Sequence, residues 1–349
     1  MKEKRFILLP LALVYGCCVS IHRMMYKIGI LTKTAFQLPV ISVGNLSVGG
    51  TGKSPHVEFM HQLLTSDYST AIVSRGYGRK SKGVREVHLD ALAIEVGDEP
   101  LQFKLKYPKT TVIVAERRVL GVQKALTIAP TTNCILLDDA FQHWAIAPTV
   151  QVMLTTFDQP FFDNWVLPAG NLREFRRGYQ RADFIIVTKC PASITEAQRA
   201  SYIRAIQPLK HQKVFFSYFS YQTLYNLVDV KQTQTLIDLK KEKVLVVTGI
   251  ADTTYLEQFM DRQEVAANYL RFPDHHHFSL TDLEHIKAQA AGRWIVITQK
   301  DATKLLHYGS YIQQNNLSVY VLPIEVTIAF DEKEALKQHL LRLINAKKG

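Results

Sequence analysis

The segment that most narrows what this chain can become is Pro39-Val40-Ile41-Ser42-Val43-Gly44-Asn45-Leu46-Ser47-Val48-Gly49-Gly50-Thr51-Gly52-Lys53-Ser54-Pro55, an apolar run entering a glycine-rich turn that ends in Gly-Lys-Ser. The run reads as a buried strand and the following 55–64 as a helix, which is the layout of a phosphate-binding loop. Backbone N–H groups freed by glycine curl around an anion, and the helix adds its positive N-terminus. The candidate ATP-binding residues are Ser47, Val48, Gly49, Gly50, Thr51, Gly52, Lys53 and Ser54. Lys53 would reach the β- and γ-phosphates and the Ser54 hydroxyl would ligate Mg²⁺. Gly-Lys-Ser/Thr alone turns up by chance in roughly one chain in five or six of this length, but requiring Gly49 and Gly50 lowers that to about one in a thousand. The general pattern G-x-x-x-x-G-K-[ST] places glycine where this chain has Ser47.

A site of this type needs further acidic groups for the metal, at the end of a neighbouring strand. Cys134-Ile135-Leu136-Leu137-Asp138-Asp139 reads as a central parallel strand whose carboxyl end points at the phosphates. Alone, it also fits a strand closing in a turn with solvated aspartates. Beside Lys53, Asp138 and Asp139 become metal-ligand candidates together with Ser54.

At 349 residues the chain is long for one core, and two domains are the expectation. Its 42 Lys+Arg against 31 Asp+Glu give a net charge of +11, which suits phosphates, nucleic acid or an anionic membrane. A 47% hydrophobic content excludes a disordered protein. Cys17, Cys18, Cys134 and Cys190 lack metal-type spacing and read as reduced packing thiols.

Met1-Lys2-Glu3-Lys4-Arg5 precedes an apolar run over 6–21, interrupted by Pro10 and followed by His22 and Arg23. That run is marginal for a bilayer core of about 30 Å. A cleavable or lipid-modified leader around Gly16-Cys17 is one reading, and a helix packed on the protein's own core is another. Because ATP and Mg²⁺ are cytosolic, residues 1–33 are read as an uncleaved helix that lies on or dips into the cytoplasmic leaflet, with Arg5, Arg23 and Lys27 at the headgroups.

Strand-like runs at 70–74, 110–115, 133–137, 150–155 and 183–188 alternate with helix-like ones at 98–106, 117–128 and 194–206. The alternation implies an α/β, P-loop NTPase-like, mostly parallel sheet with helices on both faces. Long β-branched and aromatic segments at 214–221 and 317–327 bracket a stretch with its own strands at 244–248 and 294–298. They are expected to form an antiparallel pair. The resulting division is a membrane-associated helix at 1–33, a P-loop kinase domain at 34–213, a two-stranded β linker at 214–221 and 317–327, a smaller α/β lobe at 222–316, and an amphipathic helix within 328–349 returning to the first domain.

With that layout, the chain resembles the tetraacyldisaccharide 4'-kinase family, the lipid A 4'-kinases of Gram-negative bacteria, along nearly its whole length. The likeness is carried by VGNLSVGGTGKSP (43–55), SRGYGR (74–79), GDEP (97–100), LLDDAFQH (136–143), PAGNLRE (168–174) with RAD (181–183), and PDHHHF (273–278) with TQKDA (298–302). The family has Ser or Thr at the position of Ser47. Phe175, where the family commonly has proline, and Glu116, where a neutral residue is usual, depart from it.

The resemblance implies transfer of the ATP γ-phosphate to the 4'-hydroxyl of a tetraacyldisaccharide 1-phosphate at the inner face of the inner membrane. It implies no nucleic acid, and no obligate protein partner is inferred. A sugar hydroxyl needs a carboxylate to accept its proton. Asp98 is the candidate base, although by its sequence alone it also fits a helix cap. By the same resemblance His275, beside His276 and His277, pairs with it from the second lobe, and lobe closure excludes water. Consecutive histidines project in different directions, which argues against zinc. Arg75, Arg79, Glu99, Arg117, Arg118, Gln142, His143, Asn171 and Arg173 are candidates for phosphate or substrate binding. Arg176 and Arg177 fit either that role or solvated surface charge. A function of another class, a membrane-associated P-loop ATPase switch, stays open. Thr188-Lys189-Cys190-Pro191 lacks the aspartate of guanine-specific switches, which disfavours GTP.

Overall fold

The computed structural model describes residues 7–346, so the basic start and the headgroup role expected of Arg5 lie outside the described residues. The chain builds two sheets. The larger takes its strands from β1 (Val40–Asn45), β2 (Thr70–Ser74), β3 (Arg85–Glu86), β4 (Thr111–Val114), β5 (Cys134–Asp138), β6 (Val150–Thr156), β7 (Phe184–Thr188) and β8 (Lys213–Tyr221). The smaller takes β9 (Leu224–Asn226), β10 (Thr233–Gln234), β11 (Lys243–Thr248), β12 (Ala266–Arg271), β13 (Trp294–Thr298) and β14 (Val319–Leu322), and β15 (Ile324–Ile328) returns to the larger. The helices are α1 (Leu9–Lys27), α2 (Lys53–Leu64), α3 (Ala93–Val96), α4 (Asp98–Lys106), α5 (Arg118–Ile128), α6 (Glu196–Ile206), α7 (Leu236–Lys241), α8 (Thr254–Arg262), α9 (Leu280–Ala290), α10 (Gln299–Leu305), α11 (Gly309–Gln314) and α12 (Lys333–Ala346).

The nine-stranded sheet runs β15-β8-β7-β6-β1-β5-β2-β4-β3. It is parallel from β8 to β4, and only the edge pairs with β15 and β3 are antiparallel. Its strands are apolar on both faces because helices cover both. The two-residue period sorts the side chains: Ile41, Val43, Ile72 and Leu136 join the core under α2, α4 and α12, while Val40, Ala71, Val73, Ile135 and Leu137 join the one under α5. The smaller sheet repeats the rule, with Leu245, Ile295 and Val321 on one side and Val244, Val296 and Tyr320 on the other.

The 317–327 segment, expected as one strand, is two strands in two sheets. Pro323 has no N–H to continue a ladder, and β14 ends before it while β15 begins after it. The other crossing, from β8 to β9, lies alongside, where Gln222 N donates to Pro323 O at 3.0 Å. The β8–β15 pair is also not free-standing, because β8 lies parallel to β7 and the pair forms the edge of the larger sheet.

Along α1 only Ala12 and Gly16 are buried, while Leu11, Leu13, Val14, Ile21 and Met24 are exposed. This is not the pattern of a core helix. The contact is made possible by glycine: a Cβ at position 16 would lie 2.4 Å from the Phe175 ring. Phe175, one of the departures noted above, is thus the residue on which α1 is seated. At the other end of the chain, Leu336, Leu340 and Ile344 recur every four residues along α12 and enter the larger core. Truncating the fully buried Leu340 to alanine (Leu340→Ala) is expected to cost about 2–5 kcal/mol, read as a lowered urea midpoint with unchanged slope.

Candidate active site

The carboxyl ends of β1, β5 and β2 carry the loops that make the site. β1 leads into the glycine turn, where Gly49 (φ +104) and Gly52 (φ +82) adopt the left-handed backbone that favours glycine. A Cβ on Gly49 or Gly50 would meet nothing within 4 Å, so the cradle is open where an anion would lie. Ser47 does not need glycine's freedom: it forms an antiparallel bridge with Leu172, flanked by Val48 N to Asn171 O and Arg173 N to Leu46 O, both 2.7 Å. The NLRE segment is thus laced onto the loop as a short ribbon, and Asn171 enters the site through its backbone. Thr51 anchors the turn, accepting from Asn45 Nδ2 at 2.9 Å while its carbonyl accepts from Thr188 Oγ1 at 2.9 Å.

Behind the loop, the buried His56 ring donates from Nδ1 to Gly52 O at 2.7 Å and meets Ser217 Oγ of β8 through Nε2 at 3.0 Å. Burial pulls this imidazole down to about 4, against the Gly52 carbonyl that favours its charged form, so it is neutral. Phe219 of β8 approaches from the same side, its ring 2.7 Å from where a Cβ on Gly52 would fall. Tyr255 of α8 grips that residue's backbone, accepting from Phe219 N and donating to Phe219 O.

Lys53 opens α2 with its ammonium 3.7 Å from Asp139 Oδ2, and Ser54 follows it half-buried. Asp139 (φ +45) is also clamped by Arg173, at 3.0 and 3.3 Å. Burial raises the Asp139 carboxyl, but Lys53 and Arg173 outweigh it and hold it below the ordinary range. Asp138, opposite Val43 across the β1–β5 pairing, is different. One of its oxygens accepts from Ser74 Oγ at 2.8 Å, while Oδ1 is buried without a hydrogen-bond partner among the described residues. Burial and the Asp139 charge push it up to about 6. An orphaned oxygen on a destabilised carboxylate, beside a second carboxylate, a serine hydroxyl and an open anion cradle, fits a hard cation carried with a phosphate.

Several residues expected on phosphate or substrate also bond to other groups of the protein. Arg79 bonds Glu116 and Gly83 O, and Glu116 also accepts from Gly83 N, so the second departure ties down the 75–83 loop. The buried Arg118 donates to the carbonyls of Ala115, Asp138 and Asp139, fixing the backbone under the acidic pair. Gln142 donates to Asn45 O and Glu174, and His143 Nε2 accepts from Arg118 N. Burial, helped by Arg118, pulls His143 down to about 4 and leaves it neutral. Arg75 and Arg117 are exposed. The RAD and RE patches meet as a buried ion pair: Arg181 bonds Glu174 bidentately between the rings of Phe141 and Trp144.

Asp98 reaches this end of the sheet through a glycine contact. A Cβ on Gly97 (φ +95) would fall 3.0 Å from Gly76 Cα, and one on Gly76 (φ +68) 2.7 Å from Val96 O, so GDEP and SRGYGR need glycine where they cross. Asp98 is the first residue of α4 and makes no cap; Gly97 holds the cap position. Its carboxylate accepts from His275 Nδ1 of the smaller lobe at 3.1 Å. Two lysines of α10 that sequence reasoning missed complete the crossing. Lys304 lies 3.7 Å from Asp98 Oδ2, and Lys300 lies 3.2 Å from both Glu99 and Asp274 and 3.3 Å from His275 Nε2. The TQKDA patch at 298–302 was the only signal for Lys300, and Lys304 lies just beyond it. Burial raises the Asp98 carboxyl, but the His275 bond and the Lys304 and Lys300 charges outweigh it and hold it below the ordinary range. The same bond raises His275 against its partial burial. His276 turns instead to Asp282 and stacks on Phe272.

Beneath α1 lies an apolar cavity of about 750 Å³, lined by Leu9, Leu13, Val19, Trp165, Val166 and Phe175 and rimmed by Arg23, Arg176 and Arg177.

A family model described as tetraacyldisaccharide-1-P 4'-kinase matches residues 4–345. The chain is 39% identical over 327 residues to a tetraacyldisaccharide 4'-kinase of Flavobacterium johnsoniae, covering 94% of each protein. It is 35% identical over 348 residues to one of Bacteroides thetaiotaomicron, covering 96% of this chain and 92% of the relative. Among solved structures, LpxK from Aquifex aeolicus in complex with ATP aligns with a TM-score of 0.77 and 28% identity, over 97% of this chain and 99% of that one.

The Asp98–His275 bond gives stability a defined pH dependence. The depressed Asp98 pKa contributes stability above 3.8 that is lost as pH falls through the folded value. The raised His275 pKa contributes stability below 6.5 that is lost as pH rises through the folded value. The melting-temperature difference between the parent and His275→Ala is therefore expected to be largest between these two values and to shrink at alkaline pH. A difference that grows with pH would contradict the assignment.

Proposed function

The chain belongs to the tetraacyldisaccharide-1-P 4'-kinase family, and from that premise we infer that its cleft transfers the γ-phosphate of ATP to the 4'-hydroxyl of a tetraacyldisaccharide 1-phosphate. The observation that carries the residue assignment is the buried Asp98 carboxylate, held ionised by the opposite lobe at the same end of the larger sheet as Lys53. Asp98 orients the hydroxyl and accepts its proton as the oxygen attacks the γ-phosphorus. The bond to the β–γ bridging oxygen breaks, and ADP leaves with that electron pair. His275 Nδ1–H keeps the carboxylate aimed. The backbone N–H groups of the glycine turn, with Lys53, hold the triphosphate in line. Ser54, Asp138 and Asp139 hold Mg²⁺, which when bound offsets the phosphate charge. Arg75, Arg117 and Arg173 are the arginines assigned to the transferring phosphate or the lipid's 1-phosphate.

The lipid reaches the site from the membrane. A helix of 19 residues is about 28 Å long, close to the thickness of the hydrocarbon core, but α1 presents its apolar surface beside a cavity of this lobe. Those features support a helix embedded at the cytoplasmic face of the inner membrane, with the cavity receiving acyl chain and Arg23 and Lys27 at the headgroups.

The test is direct. Radiolabelled ATP, Mg²⁺ and detergent-dispersed tetraacyldisaccharide 1-phosphate are expected to give labelled lipid, and ATP turnover without the lipid should be slow. Folded protein that labels no lipid would sink the proposal. Asp98→Ala should lower turnover by about 10²–10⁴-fold with ATP binding retained, whereas Lys53→Ala should weaken nucleotide use itself.

A further inference from the structure

We propose that Lys304 is a positioning residue for the phosphate transfer, a cation built into the lobe interface to keep the Asp98 carboxylate charged and aimed. The inference rests on the reading of Asp98 as the base. Lys304 lies near the end of α10 with a side chain only 3% exposed. Its ammonium stands over the face of Phe278, 5.6 Å from the ring centroid, and makes no hydrogen bond among the described residues. Two carboxylates face it, Asp301 at 3.3 Å and Asp98 at 3.7 Å.

Asp301 shares this lysine and does not take it up alone. Its oxygens already accept from Gly249 N at 3.1 Å and Thr298 Oγ1 at 2.7 Å, which cap the start of α10 and hold the loop after β11. Lys300 cannot replace it, because that ammonium is shared between Glu99 and Asp274. The remaining groups around the carboxylate are the His275 imidazole, whose charge is conditional on pH, and Glu99, which bears the wrong sign. Tyr77 faces the other side of His275 with ring centroids 5.2 Å apart. Lys304 is therefore the lysine whose buried charge is aimed at the base, and an opposite charge at this distance favours the ionised carboxylate. The proton then arrives on Asp98 only from the reacting hydroxyl. Because Lys304 sits on the smaller lobe, the base is fully prepared only when the lobes are together.

Rates of lipid phosphorylation for the parent, Lys304→Met and Lys304→Gln, measured between about pH 3.5 and pH 9, test this, with Asp98→Asn as a control. The expected result is a profile whose acid limb moves up by about one pH unit, giving a rate up to about tenfold lower at the acid end. The alkaline plateau should stay within about threefold, with the KM for ATP unchanged. A profile superimposable on the parent's, or a uniform loss at every pH, overturns the proposal. If neither variant folds, the lysine serves the interface rather than the base and the proposal also fails. Near-normal turnover in Asp98→Asn would instead remove the base assignment itself, whatever the Lys304 profiles show.

Discussion

A carboxylate cannot be buried without something to answer its charge. Asp98 is 3% exposed and belongs to the larger lobe, yet the groups that answer it, His275 and Lys304, belong to the smaller one. His275 lies 177 positions away along the chain. The site thus exists only where the two sheets meet. Much of the fold serves this juxtaposition: the Gly76–Gly97 crossing carries Asp98 to the end of β2, and the Asp301 bonds fix the helix that delivers Lys300 and Lys304. The crossings at Gln222 and Pro323 bring the second sheet alongside the first.

The acidic pair at the end of β5 is built on the opposite principle. Asp139 is neutralised by Lys53 and Arg173, but Asp138 is left with a buried oxygen that has no hydrogen-bond partner among the described residues. Arg118, which by charge would suit it, is turned to the backbone carbonyls beneath and holds the chain in place. One carboxylate of the pair is answered by protein charges, and the other keeps an oxygen open to a bound cation.

Much of the layout was legible because it rests on local rules. Alternating apolar residues in strands such as Ile135-Leu136-Leu137 leave little choice when both faces are covered, and the glycine turn needs a strand before it and a helix after it. Lys53, Asp138 and Asp139 could be named together because the loop's chemistry requires neighbours of that kind. What was not legible depends on partners far away in sequence. Arg117 and Arg118 are adjacent and identical in type, yet one is exposed and the other buried under the acidic pair. Lys300 and Lys304 gain a role only where Asp98 and Glu99 arrive from another lobe. Glu116 and Phe175, unusual for the family, acquire reasons only once Arg79 and Gly16 are seen against them. The break at Pro323 went unread because 317–327 has strand composition on both sides of it.

Phe219 stands at a junction of two mechanical tasks. Its backbone is held by Tyr255 of the smaller lobe, and its ring fills the space beside Gly52, while Ser217 on the same strand meets the histidine bonded to the Gly52 carbonyl. The strand that ties the lobes is also a wall of the anion cradle. Tilting one lobe against the other therefore moves that wall, and a nucleotide that fills the cradle limits the angles the lobes can take.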